Sequence, residues 1–84
     1  MIAEIEKWKE GWQGITLGLS NEEIDEFISL LQQIRKDNEQ HFHISSNWKG
    51  EPGVGDIEIY VKGEEQVNNM SFSSLAIEPG TEIK

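Results

Sequence analysis

His41 and His43 are the residues of this chain whose type and spacing most favour chemistry. They alternate with Phe42 and Ile44, which predicts a strand with both imidazoles on one face, about 7 Å apart at a rise of roughly 3.3 Å per residue. A second alternating run, residues 56–61, predicts a neighbouring strand with carboxylates on one face. Two imidazoles and a carboxylate on adjacent strands are ligand types that bind zinc and other transition metals.

The register of this predicted hairpin follows from its apolar residues. Phe42 and Ile44 must lie opposite the odd-numbered apolar residues of the second strand, because a slip of one residue would bury charges. The expected partner of His43 is then Glu58 or Tyr60. We expect one exposed polar face, away from the apolar side, formed by His41, His43, Asp56, Glu58 and Tyr60.

Pairing of histidine with glutamate across a solvated face explains the same residues without any ligand, and contributes about a few tenths of a kcal/mol. An open sheet face does not exclude water, whereas catalytic sites are concave. The chain has no cysteine and no glycine-rich loop at a strand–helix junction. We therefore expect no enzyme, cofactor or metal. A metal protein or hydrolase built on His41, His43 and Glu58 is the alternative.

A helix is predicted over residues 20–36, and it should pack on the apolar side of this hairpin. Ser20 and Glu23 have the spacing of a capping box, and Leu19 and Ile24 that of a hydrophobic staple. Apolar residues then recur at helical spacing up to Ile34, and charges match the helix dipole at both ends. One helix with one apolar stripe needs a sheet as its partner layer.

The remaining patterns place strands around this helix. Residues 15–19 alternate and lead into the helix cap, and residues 1–14 are a strand or an extended arm, a helical face being the other interpretation. After the hairpin, residues 70–77 predict a last strand with a break near Ser73 and Ser74. We expect an α+β fold, a mainly antiparallel sheet of about four strands in the order β-α-β-β-β, as a single domain over residues 1–84 with a loose tail at 81–84.

The charge balance limits the partners. Sixteen acids against seven Lys and Arg give a formal net charge of −9 in 84 residues. Such a field repels nucleic acid and anionic membranes, and it serves either solubility alone or the attraction of a cationic protein. No membrane span and no leader segment is evident, so we expect a cytoplasmic protein with a basic protein partner, without nucleic acid or membrane.

Three tryptophans are many for a core of this size. Trp8 and Trp12 lie outside the predicted core of helix and sheet, and Trp48 lies at the edge of a predicted turn. They either attach the N-terminal arm to the sheet or anchor an interface, where tryptophan is enriched. Open sheet edges also offer strand addition or a homodimer without a ligand.

Residues 15–61 resemble the immunity protein 32 family of bacterial polymorphic-toxin systems. The resemblance is carried by the helix and by both strands of the hairpin: Leu19-Ser20-x-Glu22-Glu23-Ile24, Phe27-Ile28, Leu31, His41-Phe42-His43-Ile44 and Asp56-Ile57-Glu58-Ile59. It implies a small cytoplasmic antidote that binds and blocks a cognate toxin. An acidic surface suits a basic nuclease toxin, because it steers association and occupies a phosphate-binding groove.

Overall fold

The computed structural model describes residues 1–72, which form two antiparallel hairpins joined by an α-helix. The α+β class, the antiparallel pairing and the number of strands are confirmed. The elements in chain order are β1 (Ile2–Lys7), β2 (Gln13–Gly18), α1 (Asn21–Lys36), β3 (His41–Ser45) and β4 (Asp56–Tyr60).

The first hairpin pairs β1 with β2, and Ile5 lies opposite Ile15 in its register. A short 3-10 turn at Lys9–Gly11 reverses the chain. Glu10 and Gly11 have φ angles of 64° and 86°, the left-handed conformation that lets so tight a turn close. The Trp8 backbone N–H donates to the Trp12 carbonyl at 2.8 Å and completes it.

The predicted order β-α-β-β-β is wrong in one respect, since the described order is β-β-α-β-β. For residues 1–14, the prediction of a strand is confirmed over residues 2–7, because the turn after Trp8 lets them pair with β2. Residues 70–72 form no strand, and Met70 and Phe72 are almost fully exposed. Three alternating residues beside Ser73 and Ser74 are too few to define a paired strand. The described strands also form two separate two-stranded sheets.

Several predictions fall on residues 73–84, outside the described residues. These are the break near Ser73 and Ser74, the strand over 75–77 and the tail over 81–84. The prediction of a single domain over residues 1–84 also extends into them.

The helix begins and ends as its sequence predicts. Glu23 N–H donates to the Ser20 hydroxyl oxygen at 3.2 Å, and Ser20 N–H donates to the Glu23 carboxylate at 3.0 Å, so both bonds of the capping box form. At the other end, Asp37 is the C-cap, and the Asn38 amide donates to the Ile34 carbonyl at 3.0 Å. These bonds satisfy backbone groups that a helix end leaves without partners.

The apolar face of the second hairpin faces the helix. The rings of Phe27 on α1 and Phe42 on β3 meet edge to face, 5.8 Å between centroids and 81° between planes. Ile34 lies further along α1, is 7% exposed and is the only buried residue among those described. A second apolar row on the helix, formed by Ile24, Ile28 and Leu31, stays exposed.

No helix in residues 1–72 is both long enough and apolar enough to cross a membrane.

Candidate functional site

The second hairpin sorts its side chains by face as the register argument requires. Ile44 lies opposite Ile57, and His43 lies opposite Glu58. Along both strands exposed polar residues alternate with half-buried apolar ones. The exposed side carries His41, His43, Ser45, Asp56, Glu58 and Tyr60, a set we call the polar face.

His43 is held on the polar face by a short chain of hydrogen bonds. Its Nδ1 lies 2.9 Å from Asp56 Oδ2, and the Ser45 hydroxyl donates to Asp56 Oδ1 at 2.7 Å. Asp56 is the diagonal neighbour of His43, since the residue directly opposite is Glu58. Because a carboxylate only accepts, neutral His43 donates from Nδ1 and keeps an acceptor lone pair at Nε2.

The same contacts shift two pKa values. The hydrogen bond with Asp56 raises the pKa of His43, and the nearby charges of Asp56 and Glu58 add to the rise. The hydrogen bond from Ser45, followed by that from His43, lowers the pKa of Asp56. Protonated His43 and ionised Asp56 therefore stabilise each other on the polar face.

His43 Nε2 points toward the remaining carboxylate. It lies 3.5 Å from Glu58 Oε1, which is longer than the roughly 2.7–3.2 Å typical of a hydrogen bond from nitrogen to oxygen. His41 stands beside His43 with 5.0 Å between ring centroids. One ligand atom from each of His41, His43 and Glu58 lies within 4.8 Å of the other two.

The tryptophans do not join the polar face. Among residues 1–72, no hydrogen bond, ion pair or ring contact links Trp8, Trp12 or Trp48 to it. Trp8 and Trp12 flank the turn of the first hairpin, and Trp48 lies in the connection between β3 and β4. Five of the candidates predicted from the sequence thus lie on the polar face, and the three tryptophans lie at two other places in the fold.

Two of the tryptophans are held in place by glycines. A methyl group at Gly14 would lie 2.7 Å from the Trp8 ring, and one at Gly55 would lie 2.6 Å from the Trp48 ring. Each ring therefore packs on a bare backbone and keeps its other side in solvent. Trp48 also has a φ of 60°, which is strained for a bulky side chain. Nothing in the residue pattern signals this backbone conformation.

The carboxylates of residues 1–72 are not paired with Lys or Arg. Within residues 1–72, the ion pairs are those of His43 with Asp56 and Glu58 and of the N-terminal amine with Glu23. No Lys or Arg side chain in that range pairs with a carboxylate. Apart from half-buried Glu23, the acidic residues of this range are exposed to solvent.

No family model, no curated protein and no solved structure matches this chain.

Proposed function

We propose that this chain is a non-enzymatic binding module for a basic protein. The observation that carries the proposal is an acidic surface whose carboxylates, throughout residues 1–72, form no ion pair with Lys or Arg. Charges already paired within a protein produce little external field, whereas unpaired ones attract a partner of opposite sign and speed association. The polar face adds two exposed carboxylates on β4, Asp56 and Glu58, whose charged neighbour is His43 rather than a Lys or Arg.

The exposed aromatic residues suit the same role. Trp48 is 76% exposed and Tyr60 52% exposed, and these residue types dominate the energetic centres of protein interfaces. Trp48 already contacts Gly55, and this contact reduces the side-chain entropy that would be lost on binding. Such a surface offers electrostatic steering together with aromatic anchors.

Within this class, we propose a cytoplasmic antidote that neutralises a toxin. The resemblance of residues 15–61 to the immunity protein 32 family supports it. A basic nuclease toxin matches the charge, since carboxylates on the polar face would compete for groups that bind phosphate.

The test is to mix the purified chain with each basic protein that its neighbouring genes encode and to measure binding by calorimetry in a chelating buffer. Light scattering of the chain alone first establishes its oligomeric state. We expect a stoichiometric complex that weakens with added salt and protects cells that express the neighbouring protein.

The double variant Asp56→Asn/Glu58→Gln removes two charges from the polar face. Its matched control, Glu4→Gln/Glu6→Gln, removes two charges from exposed positions on β1. We expect slower association only for the first variant. Absence of a complex with every neighbouring gene product, or equal losses in both variants, would refute the proposal.

A further inference from the structure

The structure adds two observations to the metal alternative that the sequence left open. The three candidate ligand atoms converge, and a second carboxylate orients one of the imidazoles. Neither the convergence nor the orientation follows from the spacing of two histidines along a strand.

We infer that His41, His43 and Glu58 form a surface binding site for a divalent transition-metal ion of the Zn²⁺ class. The ligand set of two imidazoles and one carboxylate is one that Zn²⁺ accepts. The inference does not depend on the proposed partner.

The distance between His43 and Glu58 fits a shared ion. Ligand atoms about 2.0–2.2 Å from a tetrahedral ion lie about 3.4 Å from each other. His43 Nε2 and Glu58 Oε1 are 3.5 Å apart. The set as a whole spans up to 4.8 Å, so an ion requires a further approach of about 1.4 Å. All three side chains are exposed and have room to turn.

Asp56 orients His43 for this role. Histidines that bind metals nearly always donate their other ring N–H to a carboxylate, a carbonyl or water, which fixes the tautomer and the ring plane. Here Nδ1 lies against Asp56 Oδ2 at 2.9 Å, and Ser45 holds the other Asp56 oxygen. The free Nε2 is the atom that faces Glu58.

Pairing of His43 with Glu58 alone is a less complete account of the same geometry. The better hydrogen-bond partner of His43 is Asp56, which leaves Glu58 at a longer distance from Nε2. His41 is placed beside His43 without a carboxylate partner among the described residues. A bound ion would be coordinated by His41 and Glu58 together with His43, and water would complete the coordination.

The test uses Zn²⁺ alone, added to the full chain expressed without a histidine tag and stripped with a chelator. His41 and His43 are the only histidines of the chain, so no other imidazole competes. Calorimetry should show one equivalent bound. Binding of Co²⁺ should produce the intense visible absorption of four-coordinate cobalt, and ¹H–¹⁵N spectra should change first on β3 and β4.

Variants then assign the ligands. His41→Ala, His43→Ala and Glu58→Gln should each weaken Zn²⁺ binding by at least about 10-fold. Asp56→Asn should weaken it by about 10-fold, at the lower end of the range for partners of ligating histidines, because this site is exposed. The control Glu6→Gln removes an equivalent carboxylate from β1 and should bind as the wild type does.

Circular dichroism establishes that each variant keeps its secondary structure. Unchanged affinity in His43→Ala, no saturable binding by the wild type, or equal loss in Glu6→Gln would each overturn the inference and indicate adventitious binding by surface acids.

Discussion

The contact between Phe27 and Phe42 should stabilise the protein by more than the burial of either ring alone. It joins the helix to the apolar side of the hairpin whose other side is the polar face. Aromatic pairs in edge-to-face geometry contribute about 0.5–1.5 kcal/mol beyond area burial. The observed 5.8 Å and 81° satisfy that geometry.

A double-mutant cycle with Phe27→Leu and Phe42→Leu isolates this contribution. Each single change keeps most of the side-chain volume and should cost less than about 1.5 kcal/mol. If the rings interact as described, the two losses should fail to add by about 0.5–1.5 kcal/mol. The free energies come from urea unfolding followed by circular dichroism.

A second cycle, Ile28→Ala with Phe42→Leu, is the control. Ile28 lies on the outer apolar row of the helix and is 49% exposed, so its loss should add to that of Phe42 within about 0.3–0.5 kcal/mol. Additive losses for Phe27 and Phe42 would refute the docking of the helix on this hairpin.

Three further predictions follow from the helix cap, the core and the polar face. Ser20→Ala should cost about 1 kcal/mol in urea unfolding because it removes the helix cap, while Ser71→Ala, at an exposed position outside α1, should change little. Ile34→Ala should cost about 2–3 kcal/mol, since its half-exposed neighbours can relax into the space, against less than about 1 kcal/mol for Ile28→Ala. In protein stripped of metal with a chelator, Asp56→Asn should lower the pKa of His43 toward its ordinary value, as measured by an NMR titration. Because that pKa is raised in the folded state, the contact stabilises the fold at acidic pH and the contribution is lost as pH rises through the raised pKa. The difference between the urea midpoints of the wild type and of Asp56→Asn should therefore narrow as pH rises through that pKa, to the part that comes from the hydrogen bond between Ser45 and Asp56. A difference that does not change with pH would contradict the assignment.

Local signals in the sequence were sufficient for the helix and for the second hairpin. Both hydrogen bonds of the capping box join residues only three apart, so they depend on the local sequence at the start of the helix. The register of β3 and β4 follows from alternation, because one face must be apolar. Both predictions are confirmed, and the register places the polar face.

The rest depended on backbone conformations that residue type alone does not specify. Glu10 adopts a left-handed conformation, which turns residues 2–7 back as a strand. Trp48 does the same and places its ring on Gly55. The hydrogen bond between His43 and Asp56 is diagonal across the strands, whereas alternation along the strands predicts Glu58 or Tyr60 as the partner of His43.

Mapping where a partner binds tests most directly whether the polar face is the binding surface. ¹H–¹⁵N spectra of the chain should be compared with and without the basic protein encoded beside it, in chelating buffer. We expect the largest changes in peak position along β3 and β4, at His41, His43, Ser45, Asp56 and Glu58. Largest changes at Ile24, Ile28 and Leu31, or around Trp8 and Trp12, would show that the functional surface lies elsewhere.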